Sequence, residues 1–138
     1  MPLAAIGTRD RWDALYPGYR WDYALHRILV AARAAGTRAI DGPYADFRDL
    51  DGFRRSCQTA RALGYDGKWC IHPAQIPVAN EVFTPDEAEI AWAHEVLQAN
   101  VAAEREGRGS FALNGQMIDA ASLRMARATL ARAGHVPD

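Results

Sequence analysis

One phrase occurs twice in this chain. Ala32-Arg33-Ala34-Ala35-Gly36 and Ala60-Arg61-Ala62-Leu63-Gly64 each close a stretch of helical periodicity, and each is followed by a short apolar run that stops at a breaker. Before the first, Leu25, Ile28, Leu29 and Ala32 share one helical face between Trp21 and Ala35, and Gly36 stands where a left-handed stop residue is wanted. Thr37 to Asp41 then reads as a strand closed by Gly42-Pro43. Before the second, Leu50, Phe53, Cys57 and Ala60 recur at helical spacing up to Gly64, and Lys68 to Ile71 reads as a second strand stopped by His72-Pro73. Helix and strand alternating at roughly 30 residues is the rhythm of a parallel α/β sheet or barrel.

Two such units cannot close a sheet. Both edges would keep unpaired backbone groups, and the apolar faces would lack cover. The chain therefore reads as incomplete or obligately assembled.

After Phe83 the rhythm changes. Thr84-Pro85-Asp86-Glu87 has the form of a capping box with Pro at the first helical position, and Ile90, Ala93, Leu97 and Val101 give the helix behind it a core face until Gly107 and Gly109. Ser110 to Ile118, with Asn114-Gly115 at its centre, predicts a small hairpin. Asp119 opens a last helix with Leu123, Ala126, Leu130 and Ala133 on one side and Gly134 at its end. No low-complexity linker divides the chain.

At 138 residues, 49% hydrophobic and 24% charged, the chain can bury a core, and disorder is excluded as a default. A formal charge of −1 removes the electrostatic warrant for nucleic-acid or anionic-membrane partners. Cys57 and Cys70 have neither CxxC nor zinc-ligand spacing. The opening MPLAAIGTRDRWD has no apolar signal core, and no run reaches the ~18 apolar residues of a membrane span. A reduced, cytoplasmic protein is the expectation.

Ligands of parallel α/β folds gather at the carboxyl ends of strands, which points to Asp41-Gly42-Pro43-Tyr44-Ala45-Asp46 and His72-Pro73-Ala74-Gln75. Turn and cap chemistry competes for Asp41 and Asp46, and a hydrogen-bonded structural role competes for His72. Asp119, just before an apolar periodic run, reads first as an N-cap. Arg33, Arg38, Arg54, Arg55 and Arg61 fall mainly opposite the apolar stripes and read as a solvated face, with phosphate binding as the other option. Trp12, Trp21, Trp69 and Trp92 are too scattered for a stacking platform and read as core or interface anchors.

Three blocks, RWDYALHRILVAARAAGTRAIDGPYADF (20–47), LGYDGKWCIHPAQIPVANEVFTP (63–85) and GRGSFALNGQMIDAASLRMA (107–126), together resemble the C-terminal half of the citrate lyase β-subunit and malyl-CoA lyase family, the HpcH/HpaI aldolase-type lyases. The resemblance implies a (β/α)8 TIM barrel, of which residues 1–83 supply the last two βα units and 84–138 form a helical C-terminal extension, or lid. It implies reversible Claisen cleavage of a β-hydroxyacyl-CoA (citryl-, malyl- or citramalyl-CoA) to an acyl-CoA and a 2-oxo acid, with Mg²⁺ polarising the oxo acid and a carboxylate moving the proton. In the family that carboxylate lies in a segment similar to Met117-Ile118-Asp119, which can close over a neighbouring subunit of a homo-oligomer. Asp119 thereby becomes the catalytic candidate, and cap and catalysis can coexist at a helix start. Asp41, Gly42, Pro43, Tyr44 and Asp46 match the loop beside the thioester and pantetheine arm of coenzyme A, and His72, Pro73 and Gln75 the loop after the last strand. The family's Mg²⁺ ligands and its oxo-acid Arg lie upstream of the first block, so this chain is expected to carry no metal ligand. A non-catalytic oligomerisation or decoy module is the alternative reading.

Overall fold

The structure, a computed structural model, describes residues 21–134. Trp12, Arg20 and the opening segment lie outside the described residues. The chain falls into two compact units divided between Phe83 and Thr84.

In the first unit, α1 (Asp22–Ala34) leads to β1 (Ile40–Asp41), then α2 (Leu50–Leu63), β2 (Gly67–Lys68) and α3 (Gln75–Phe83). The strands pair in parallel, Ile40 opposite Gly67 and Asp41 opposite Lys68. Both are shorter than the apolar runs suggested, and the second begins one residue earlier. The chain leaves the ladder as soon as Trp69 N–H has donated to Asp41 O at 2.9 Å, which places Trp69 and Ile71 largely in solvent. At the other end Asp66 N–H donates to Ala39 O and the Asp66 carboxylate accepts from Ala39 N–H, both at 2.8 Å.

The repeated phrase has a physical basis. Gly36 and Gly64 both adopt positive φ, at 65° and 105°. Each glycine N–H donates to the carbonyl three residues back, and the following residue, Thr37 or Tyr65, donates to the carbonyl five back. The same two bonds close each helix because glycine carries no Cβ penalty in the left-handed region. Tyr65 then turns inward, is 2% exposed, and donates its hydroxyl to Leu25 O at 2.9 Å. Leu25, Ala39, Ala60 and Tyr65 form one core cluster, and Phe53, Cys57, Val78, Ala79 and Val82 another. Ile28, expected on the core face of α1, is 43% exposed.

Three further expectations are corrected. The N-cap of α2 is Asp49, which accepts from Gly52 N–H at 2.8 Å, whereas Asp46 accepts from Arg48 N–H in a local turn. The sequence reading placed no helix after His72-Pro73, yet α3 forms there. Its Pro77 lies in the first turn, where a missing N–H costs no intrahelical bond. Three of the five Arg residues are also tied down rather than merely solvated, while Arg38 and Arg55 are exposed as expected. Arg33 clasps Asp66 through two bonds and reaches Gly64 O, Arg54 pairs with Glu81, and Arg61 donates to Val82 O.

The second unit comprises α4 (Glu87–Arg105), the antiparallel hairpin β3 (Phe111–Leu113) and β4 (Gln116–Ile118), and α5 (Ala120–Arg132). The capping box exists two residues beyond its expected place. Asp86 is the cap, its carboxylate accepts from Glu89 N–H, and Glu89 accepts from Asp86 N–H, so Pro85 precedes the helix. Asn114 and Gly115, with φ of 50° and 79°, make the tight turn expected of Asn-Gly. Ala93, Val96, Ile118, Ala126 and Leu130 form the core of this unit.

The parallel sheet of the first unit keeps a free edge on both sides among the described residues, and Ile40 and Trp69 beside it are 55% and 64% exposed. A polypeptide of these 138 residues is therefore expected to self-associate. Sedimentation as a monomer at micromolar concentration, with a cooperative melt, would contradict this.

Candidate active site

Asp41 ends β1 and Lys68 ends β2, and their register sets the two side chains against each other. The Lys68 ammonium donates to Asp41 Oδ2 at 2.5 Å, with the side chains only 3% and 9% exposed. The other carboxylate oxygen of Asp41 accepts from Gly42 N–H at 2.8 Å, which fixes the first residue of the following loop. Lys68 was read from sequence only as the start of a strand. A lysine inside a run taken to be buried was itself the signal, because a buried ammonium needs a counter-charge.

Around this pair the two strand-end loops are joined. Gln75 is fully buried, accepts from Ile71 N–H at 2.9 Å through Oε1, and donates from Nε2 to Tyr44 O at 3.1 Å. The His72 ring stacks on Phe47 with centroids 4.7 Å apart, and its Nδ1 accepts from Ala74 N–H. Tyr44 meets Phe53 edge-on and donates its hydroxyl to Asp49 at 2.8 Å. That bond, followed by burial, raises the phenol pKa, while Gly52 N–H and then Tyr44 hold the Asp49 carboxyl below its usual range. Gly52 makes room for the arrangement, since a Cβ there would lie 2.1 Å from an Asp49 oxygen and 2.2 Å from the Tyr44 hydroxyl. Beneath the loops, burial pushes the Cys57 thiol up to about 11, so it is a packing group rather than a nucleophile.

The first unit thus brings together Asp41, Gly42, Pro43, Tyr44, His72, Pro73 and Gln75 at the carboxyl ends of two parallel strands. Asp46 lies on the same loop with its carboxylate exposed. Asp41 and Tyr44 also border an open cleft of about 480 Å³ along α2, where Arg55, Ser56 and Thr59 add polar groups. Among the described residues no three His, Cys, Asp or Glu side chains converge into a cation site, and the Asp41 carboxylate is already neutralised by Lys68. These residues do not fit Mg²⁺.

Asp119 belongs to the second unit. It follows β4, is exposed, and caps α5, its Oδ1 accepting from Ala121 N–H and Ser122 N–H at 2.9 Å each. The bonds from the Ser122 backbone and hydroxyl hold its carboxyl below the ordinary 3.8. The cap reading of the sequence therefore stands, and it leaves an exposed carboxylate at a helix start that is ionised at neutral pH. Neighbouring Met117 is 80% exposed.

The matching family model is the HpcH/HpaI aldolase/citrate lyase family, over residues 3–73. The chain belongs to that family. An L-malyl-CoA/beta-methylmalyl-CoA lyase of Rhodobacter capsulatus is 39% identical over 92% of this chain and 42% of its own length. A (3S)-malyl-CoA thioesterase of Cereibacter sphaeroides is 41% identical over 93% of the chain and 47% of its own. Among solved structures, the protein CitE of Mycobacterium tuberculosis, in complex with magnesium, acetoacetate and coenzyme A, is 40% identical with a TM-score of 0.70, covering 85% of this chain and 43% of that one. A citrate lyase of Burkholderia xenovorans is 28% identical with a TM-score of 0.71, over 93% and 42%. The chain spans less than half the length of these relatives. No helix among the described residues is long and apolar enough to cross a membrane.

Two outcomes follow from this geometry. Lys68→Met strands a buried carboxylate and is expected to cost about 3–5 kcal/mol, whereas Lys68→Met with Asp41→Asn recovers part of that loss. Chemical denaturation of Lys68→Met, Asp41→Asn and the double variant checks it, and additive losses would speak against a buried pair. The Asp119 carboxylate is bonded only in the folded state, so its contribution is present above pH 3.8 and is lost as the pH falls through the lower folded value. An NMR titration of its carboxyl carbon should place the midpoint below 3.8, and a midpoint at or above that value is the contrary result.

Proposed function

We propose that this chain is the C-terminal portion of a (β/α)8 carbon–carbon lyase acting on CoA esters, in which 1–83 supply the last two βα units and 84–138 a lid. The reaction is reversible Claisen cleavage of a β-hydroxyacyl-CoA to an acyl-CoA and a 2-oxo acid. What carries the reading is Asp119, an ionised carboxylate fixed at the exposed start of α5, in a chain whose relatives bear malyl-CoA lyase names. In the condensation direction its carboxylate removes a proton from the acyl carbon next to the thioester, and in cleavage it returns that proton to the enolate. The two hydrogen bonds from the α5 N-terminus keep the carboxylate oriented and ionised.

The loops after β1 and β2 carry the second part of the reading. Gly42, Pro43 and Tyr44, half-buried and anchored through Asp41, line the thioester and pantetheine arm, with Asp46 at the solvent end. His72 and Pro73 border the same arm from the other loop, and Gln75 holds both loops from beneath. Mg²⁺ and the oxo acid are held by residues other than those described. The complete enzyme is a cytoplasmic homo-oligomer in which the lid of one subunit serves the barrel of its neighbour.

A second reading, hydrolysis of malyl-CoA, is favoured by the 41% identical thioesterase relative. There the same carboxylate would take its proton from water rather than carbon, and product analysis separates the two by the appearance of glyoxylate or of malate.

The test is Asp119→Asn in this chain joined in frame to the upstream part of the Rhodobacter lyase relative. Asn keeps the cap but cannot exchange a proton, so the melting temperature should hardly move while kcat falls about 10²-fold or more. Near-normal turnover by the Asn variant would return Asp119 to a purely structural role and favour a non-catalytic module.

A further inference from the structure

We propose that Gln75 is a positioning residue that locks the two strand-end loops into a single unit, so that the loop after β1 takes its geometry from the segment after β2. The inference rests on the functional reading only insofar as those loops meet the CoA ester.

The sequence placed Gln75 among the ligand contacts, yet its side chain has no surface to offer, being 0% exposed. Its amide is divided between two backbones 27 positions apart. Oε1 takes the N–H of Ile71, just before His72-Pro73, and Nε2 gives to the carbonyl of Tyr44, in the middle of the Gly42-Pro43-Tyr44 loop. Neither backbone group is in the ladder, because β1 and β2 have already ended at Asp41 and Lys68. Without the amide, a carbonyl and an N–H beside a buried position would lose their partners, a loss comparable to a missing hydrogen bond at each end. Gln is suited to this place because it carries a donor and an acceptor at one planar terminus. Its own N–H is bonded to His72 O at 3.0 Å, so the start of α3 fixes the side chain's origin. The Phe47–His72 stack also crosses between the loops, the Asp41–Lys68 pair and the Trp69 N–H bond to Asp41 O cross at the strand ends, and the Gln75 amide reaches the Tyr44 backbone itself.

Glutamate separates positioning from mere filling of space. In Gln75→Glu the shape is kept and Ile71 N–H keeps its acceptor, but an ionised carboxylate faces the Tyr44 carbonyl without a proton to give. Burial raises the carboxyl's pKa, so at low pH the protonated acid becomes a near-isostere of the amide and can donate again. The ionisable groups at the strand ends and on the two loops, Asp41, Tyr44, Asp46, Arg48, Asp49, Lys68, Cys70 and His72, are unchanged, and a wild-type series over the same pH values removes their contribution.

The experiment is amide hydrogen exchange on this chain joined in frame to the upstream part of the Rhodobacter lyase relative, corrected for intrinsic rates, with acetyl-CoA titration alongside. At pH 7.5 the Glu variant should exchange about tenfold faster than wild type over 42–47, with little change over 71–74, and at pH 5 the difference should close. Gln75→Met should accelerate both segments at every pH. In wild type the Gln75 side-chain amide protons should exchange slowly by NMR, a measurement that needs no folded variant, and fast exchange there overturns the proposal. Equal loop exchange in all three proteins overturns it as well. Acetyl-CoA affinity that follows the exchange pattern, weaker in Gln75→Glu at pH 7.5 and restored at pH 5, supports the clip and the functional reading together. Failure of wild type to take up acetyl-CoA while the exchange pattern holds supports the clip and counts against the functional reading alone.

Discussion

The Asp41 carboxylate and the Lys68 ammonium meet where two very short strands stop, and much of the first unit is arranged around keeping them together. Two residues of parallel ladder supply few hydrogen bonds, so the pairing is maintained by side chains at each end. At one end Asp66 bonds the Ala39 N–H and is itself clasped by Arg33 from α1. At the other the buried ion pair closes the sheet and turns Gly42 into the loop. Such a pair is a modest source of net stability but a strict specifier of register, because a slip by one residue would leave both charges buried and unpaired. The polar groups presented beyond the strands inherit their positions from it.

How much of this could be read beforehand depended on how local the cause was. The glycine stops at 36, 64, 107 and 134 and the Asn114-Gly115 turn were legible because each is decided by backbone sterics within a few residues. The Asp119 cap was legible from its position just before an apolar periodic run. The box at α4 was misplaced by two residues because Thr84 and Asp86 both offer a capping oxygen, and only packing of the helix chooses between them. Pro77 concealed α3, since a proline in a first turn and one that forbids a helix look alike until the start is known.

The candidate site was legible as two loops and not as one. Gln75 and Lys68 reach partners 31 and 27 positions away, and no periodicity relates such pairs. The arginines taken as a solvated face illustrate the same limit: Arg33, Arg54 and Arg61 each find an acceptor on another element, so amphipathic spacing located them correctly while giving no indication of what they hold.

The hairpin between α4 and α5 behaves as a ruler. Its two-residue turn fixes Phe111 opposite Ile118, which seats Ile118 in the core and leaves Met117 outside. One more residue in the turn would shift the return strand by a single step, exchange those two side chains, and displace the helix start that follows, carrying Asp119 with it. Surface turns ordinarily absorb insertions freely. This one leads within four positions of its second residue to the carboxylate that starts α5, so a change in the number of its residues would move that helix start while a change in their kind would not.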